Sequence, residues 1–185
     1  MGADAVMKDA EQRMQGAVAA CHRDLQGIRT MRANPSLLEN IAVEVYGTRM
    51  PINQVATVTA PEPRMLLVQV WDAKNAPAVN KAIGNSSLGL SPIAEATVIR
   101  VPLPEMTEQR RRELAKVAMQ YAEKGRVAVR NVRRDVLDSL KKLEKSGDIS
   151  EDELRDYSDQ VQKKTDAGVS DIDALAKKKE ADILQ

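Results

Sequence analysis

The sequence predicts an α+β protein: an elongated antiparallel three-helix bundle with a small β/α domain inserted after its first helix. Two observations carry this. All eight prolines lie between Pro35 and Pro104, so the first 34 and last 81 residues contain none. Proline lacks the backbone N–H and clashes with the preceding helical turn, so long helices fit the flanks and not the middle. Apolar residues recur every three or four positions in the flanks and every two in the middle, a change from helical to strand period. The expected borders are residues 1–30 and 105–185 for the bundle and 31–104 for the insert.

In the first helix Met7, Ala10, Met14, Ala17, Cys21, Leu25 and Ile28 form the apolar seam. In the insert, Ile41, Val43 and Val45 alternate with Ala42, Glu44 and Tyr46, and Gly47-Thr48 signals a turn. Residues 55–59, 65–71 and 97–101 are further β-rich runs. A short helix begins near Pro77, a favoured first-turn residue, and ends at Gly84-Asn85. The second long helix runs from Glu108 to Lys145, about 55 Å at ~1.5 Å per residue. Its seam is Leu114, Ala118, Tyr121, Gly125, Ala128, Val132, Val136, Leu140 and Leu143. Thr107 caps its start, and Lys141, Lys142, Lys145 and Gly147 mark its end. Ser150 and Glu153 have the spacing of a capping box for the third helix. There Leu154, Tyr157, Val161, Thr165, Gly168, Ile172, Leu175 and Ile183 keep the step, with Lys179 occupying a seam position.

Composition excludes several classes. Aromatics are 2% with no Phe, so the core must be aliphatic and methionine-built. The single cysteine, Cys21, excludes an internal disulfide framework and suits a reducing compartment. No apolar run approaches the ~18–20 residues of a membrane span, and the N-terminus has no secretory pattern. A soluble, cytoplasmic protein is expected. The one histidine, His22, adjoins Cys21; neighbours on a helix point about 100° apart and cannot chelate one ion. Around a single histidine no nucleophile–base set can be built, and Gly84-Asn-Ser-Ser-Leu-Gly89 lacks the lysine of a phosphate loop. The expectation is a protein that is not an enzyme, with no cofactor and no metal.

Net charge is +1, but it is unevenly spread. The stretch from Glu108 to Lys145 holds twelve Lys or Arg against six acids, whereas the chain from Ser146 onward holds six against eleven. Such asymmetry speaks to partners. At ~100° per residue, Arg112, Lys116, Arg126, Arg130, Arg133, Arg134 and Lys141 share an arc of about 100° away from the seam. Arg130 and Arg133 have no acid three or four residues away, and Arg130 instead faces Arg126, Arg133 and Arg134. Like-charge pairs at this spacing cost a few tenths of a kcal/mol each, so helix stability does not account for them. An external phosphate does, because the planar guanidinium fork donates two parallel hydrogen bonds. The bland alternative is that these arginines bridge to the acidic third helix. With so few aromatics, recognition of folded RNA by shape and backbone is favoured over stacking on single strands. Tyr46 and Trp71 are expected to pack within the insert.

Several motifs resemble ribosome recycling factors. These are Thr30-Met-Arg-Ala-Asn-Pro-Ser-Leu-Leu38 at the entry to the insert, and Ser91-Pro92 and Arg100-Val-Pro-Leu-Pro104 at its exit. Thr107-Glu-Gln-Arg-Arg-Arg-Glu-Leu114 and Val127-Ala-Val-Arg-Asn-Val-Arg-Arg-Asp135 follow on the second helix. Asp148-Ile-Ser-Glu-Asp-Glu153 and Val161-Gln-Lys-Lys-Thr-Asp166 complete the set on the third. The resemblance implies binding to large-subunit ribosomal RNA of the post-termination complex, with elongation factor G and GTP driving disassembly. It implies RNA contacts by Arg130, Arg133 and Arg134, with Arg110, Arg29 and Arg32 as weaker candidates, and the basic arc adds Arg126 on the same face. It also implies a monomer without catalytic site or membrane association. A hinge is expected at Met31, Ala33, Leu103 and Glu105, with Met31 standing where the family commonly has glycine. Two rival classes are an adaptor docking through the acidic third helix and an enzyme using a cleft between the domains.

Overall fold

The structure, a computed structural model, describes residues 2–30 and 32–184. The chain divides into two compact units, Met1–Arg29 with Thr107–Gln185 and Thr30–Met106. No helix among the described residues is long and apolar enough to cross a membrane.

The first unit is three helices: α1 (Ala3–Gln26), α3 (Glu108–Lys145) and α4 (Glu151–Leu184). Local chemistry fixes their ends. The Thr107 hydroxyl accepts from the Arg110 backbone N–H at 3.1 Å, satisfying one orphan donor of α3. At the other end Gly147 takes φ +83°, the left-handed conformation that favours glycine. Its N–H reaches Glu144 O at 3.0 Å and the next N–H reaches Leu143 O at 2.9 Å, the paired bonds of a Schellman motif. Ser150 and Glu153 then form a reciprocal capping box, at 3.1 and 3.2 Å, that starts α4. The short connection makes α3 and α4 antiparallel neighbours.

The bundle core takes Met7, Ala10, Met14, Cys21 and Leu25 from α1 and Val161, Ile172 and Ile183 from α4. From α3 it takes Leu114, Ala118, Ala122, Gly125, Val129, Val132, Val136 and Leu140. Tyr121, Ala128 and Leu143, expected in that seam, are only half-buried, while Ala122 and Val129 are buried. The reason is geometric. Helix α3 packs on both α1 and α4, so its buried stripe is wider than one seam and lies between two partners.

Lys179 sits half-buried at the seam position of α4, and burial holds its ammonium below the usual lysine range, partly countered by Asp182. At neutral pH the folded state therefore carries a cost for the charge that the unfolded state does not. That cost is relieved as pH rises through the lowered folded value towards the ordinary one. Lys179→Met is expected to stabilise the bundle at pH 7 by about 0.5–1 kcal/mol. The gain should shrink as pH approaches 10, read by chemical denaturation across pH. A loss of stability at pH 7 would show that the ammonium makes a needed contact.

In the second unit, β1 (Ala42–Val45) and β2 (Thr48–Pro51) form a two-stranded ribbon. A four-stranded antiparallel sheet has the order β3-β4-β6-β5, from β3 (Ala56–Glu62), β4 (Met65–Val70), β5 (Ile93–Glu95) and β6 (Val98–Pro102). Pro61 lies on the edge strand β3, beside a register shift between Thr59 and Glu62, where its missing N–H breaks no ladder. The inward residues Leu66, Val68, Val70, Ile99 and Val101 meet Val79 and Ile83 of α2 (Ala76–Gly84) and Val43 and Val45 of β1 in one aliphatic cluster.

Two expectations for this unit need correction. Tyr46 and Trp71 are not packing residues; they are 73% and 62% exposed. Tyr46 and Gly47 form the two-residue turn between β1 and β2, both at positive φ (53° and 76°), the twist-matched hairpin geometry. That turn throws the Tyr46 ring outward, where its hydroxyl contacts Asp72 Oδ2 at 2.9 Å and accepts from Asn75 Nδ2 at 3.2 Å. The Lys74 backbone N–H and the Tyr46 hydroxyl hold the Asp72 carboxyl below the usual carboxylate range. The Trp71 indole donates to Thr57 Oγ1 at 2.9 Å.

The second correction concerns Ala33 and Leu103, expected among the bending residues. The Ala33 N–H donates to Pro63 O at 2.7 Å and the Leu103 N–H to Arg64 O at 2.8 Å. Leu103 is also buried in the aliphatic cluster and Ala33 packs against it. Both are hydrogen-bonded and packed within the insert. Glu105 is exposed, 3.9 Å from Arg64 Nε, and Met31 lies outside the described residues.

Candidate nucleic-acid interface

Helix α3 carries the basic arc, and its arginines have different local fates. Arg126 is bound on both sides. Its Nε reaches Asp173 Oδ1 of α4 at 2.8 Å and its Nη1 reaches Glu123 Oε2 at 2.9 Å. The Asp173 hydrogen bond, followed by Glu123, raises its pKa further. For this residue the bridging alternative is what the structure contains, and its side chain is only 26% exposed.

One turn on, Arg130 is exposed and its Nη1 lies 3.8 Å from Glu123 Oε1, a loose pair between two solvated groups worth little. Arg133 is half-buried, and its Nε donates to Gln162 Oε1 of α4 at 2.8 Å. That partner is a neutral amide, so the guanidinium is held without being neutralised. Arg134 is exposed and has no hydrogen bond or ion pair among the described residues. Arg112, Lys116 and Lys141 extend the exposed arc along the helix, Arg112 being paired with Glu108 at 2.6 Å.

The remaining candidates stand apart from this arc. Arg110 is two residues before Arg112, about 200° round the helix, and pairs with Glu113 at 3.2 Å. Arg29 is exposed, with no hydrogen bond or ion pair among the described residues. Arg32 is exposed on the second unit. The face that the bundle itself assembles is therefore Arg130, Arg133 and Arg134, with Arg126 as its structural border.

Between α3 and α4 this border opens into a depression of about 500 Å³, with Arg130 and Arg133 on one wall and Gln162, Asp166, Ser170 and Asp173 on the other. Gln162 Nε2 donates to Asp166 Oδ1 at 2.9 Å, so Gln162 touches both an acid and an arginine. Sequence reasoning assigned neither Gln162 nor Asp166 a role. Their i, i+4 spacing, which favours a Gln–Asp hydrogen bond on one helix face, was the available signal.

Residues 21–184 match the sequence profile of the family described as ribosome recycling factor. The ribosome-recycling factor of Rhizorhabdus wittichii is 58% identical over 176 residues, 95% of each chain. The chain belongs to the ribosome recycling factor family. A solution structure of the ribosome recycling factor is similar at TM-score 0.66 and 40% identity, covering 98% of this chain and 97% of that one. A structure built for the T. thermophilus ribosome recycling factor and the E. coli elongation factor G bound to the E. coli post-termination complex contains a similar chain. It aligns at TM-score 0.61 and 45% identity over 100% of both. The ribosome recycling factor match includes every arginine of the α3 face and all of the inserted domain.

Proposed function

We propose that the chain binds large-subunit ribosomal RNA of the post-termination complex through Arg130, Arg133 and Arg134, and that elongation factor G with GTP then drives ribosome disassembly. The observation that carries this reading is the pairing pattern on α3. Arg134 has no carboxylate partner among the described residues, Arg133 is held by an amide, and Arg130 has only a loose, solvated one. Three adjacent guanidinium groups left unneutralised on one face are suited to phosphates presented by a folded backbone. Arg29, Arg32 and Arg110 are secondary contacts in this reading. The protein acts as a cytoplasmic monomer and supplies no catalytic group. In this reading the two units reorient at the junction around Glu105, beyond the hydrogen bonds that tie Ala33 and Leu103 into the insert.

Pelleting with ribosomes across about 50–200 mM monovalent salt tests the reading. The logarithm of the binding constant is expected to fall linearly with log salt, by ~0.7–0.9 for each phosphate contacted. A flat profile would replace RNA contact with docking through a protein surface, as the acidic α4 adaptor reading requires.

A further inference from the structure

We infer that Gln162 and Asp166 form a positioning relay for Arg133, so that α4 as well as α3 sets how the arginine face meets a phosphate. The inference rests on the phosphate-binding reading above and gives a role to the motif running from Val161 to Asp166.

The geometry is a chain of two hydrogen bonds. Asp166 Oδ1 accepts from Gln162 Nε2 at 2.9 Å, and Gln162 Oε1 accepts from Arg133 Nε at 2.8 Å. An ionised carboxylate only accepts, so Asp166 draws the amide NH2 of Gln162 towards itself and turns the amide oxygen to Arg133. Without Asp166 the amide is free to flip and present a donor to a donor. The relay is anchored by its helix. Val161 and Thr165, each one residue before a relay member, are buried, and the Thr165 hydroxyl donates to Val161 O at 2.8 Å. Gln162 and Asp166 therefore stand one step outside the core, at the rim of the depression shared with Arg133.

The choice of partner atom matters. A guanidinium has five N–H donors. With Nε engaged, the four on Nη1 and Nη2 remain, and that edge is the one presented for a two-point contact with phosphate. Arg126 is the contrast within the same helix: two carboxylates bind it and neutralise it. At Arg133 an amide fixes the fork and leaves the charge intact, so less side-chain freedom is lost when phosphate arrives.

The test is a double-mutant cycle on ribosome binding, with thermal melts of each variant. Gln162→Met keeps length and removes the hydrogen bond. It is expected to weaken binding about 3- to 10-fold, with Tm unchanged, and to have no further effect in an Arg133→Ala background. Asp166→Ala should reproduce the loss, whereas Asp166→Asn, whose amide oxygen can still accept from Gln162, should bind as the parent does. Equal weakening by Gln162→Met with and without Arg133 would overturn the relay and make Gln162 a ribosome contact of its own. If Arg133→Ala weakens binding and Gln162→Met does not, the relay is wrong and the phosphate reading stands. If Arg133→Ala has no effect, the relay falls together with the role of Arg133 in that reading.

Discussion

Gly125→Leu is expected to destabilise the bundle by about 3 kcal/mol and lower its Tm by about 6–12 °C. Gly125 is where α3 passes between its two neighbours. A Cβ at that position would lie 3.0 Å from Cys21 Cβ, 3.1 Å from Cys21 Sγ and 3.0 Å from Ile172 Cδ1. Those atoms belong to α1 and α4, so relief by moving one helix drives it away from a partner or pushes the third. Cys21 and Ile172 are both buried, which leaves no solvent side to which they can yield. A leucine adds three further carbons beyond that Cβ. Gly16, on α1, is the control. Nothing lies within 4 Å of a Cβ built there, so Gly16→Ala should gain up to about 1 kcal/mol from helix propensity alone. Far-UV circular dichroism melts of the two variants separate the effects. A Gly125→Leu bundle melting within 2 °C of the parent, on the ~2–4 °C per kcal/mol scale for this size, would mean that the three helices are not in close contact there.

The elements legible in the sequence are those decided by neighbours along the chain. The bounds of α3 and the start of α4 follow from Thr107, Gly147 and the Ser150–Glu153 pair, all of which act within five residues. Strands β2 and β5 were invisible because burial does not pattern them. β2 has no fully buried residue and β5 is exposed throughout, and each exists through hydrogen bonding to a partner strand. Tyr46 and Trp71 misled for a related reason. Aromatic side chains default to cores, but these rings stay exposed while their polar ends bond to Asp72, Asn75 and Thr57. The α3 face divides in the same way. The crowding of Arg130, Arg133 and Arg134 is a local pattern and could be read directly. The fate of Arg126 depends on Asp173, 47 residues further on, and that of Arg133 on Gln162, 29 residues further on. Helical spacing put all four on one arc, and only the packing of α4 against α3 separates the structural arginine from the others.

That separation yields the largest expected effect on binding. Replacing Arg130, Arg133 and Arg134 together with alanine should weaken ribosome binding by about 100-fold or more, since charge-assisted hydrogen bonds contribute ~1.5–3 kcal/mol each and neighbouring effects are not additive. The slope of log binding constant against log salt should fall by about two to three units, one for each phosphate that no longer meets a guanidinium. Stability should change little: Arg130 and Arg134 are exposed, and among the described residues the only tight partner of the three is the Gln162 amide. Relief of like-charge repulsion offsets part of the cost of removing that bond. Arg126→Ala should behave in the opposite sense. It removes the tie between Asp173 and Glu123 and the packing of the arginine stem, costing about 0.5–1.5 kcal/mol of bundle stability. Its effect on ribosome binding should stay below about threefold, because its guanidinium is already satisfied. Sedimentation with ribosomes at three salt concentrations, paired with melts of each variant, reads both quantities. A triple variant that binds as tightly as the parent with an unchanged salt slope would remove the arginine face from the interface. An Arg126→Ala variant that binds as weakly as the triple, while melting normally, would move the RNA contact to the arginine that this structure pairs with acids.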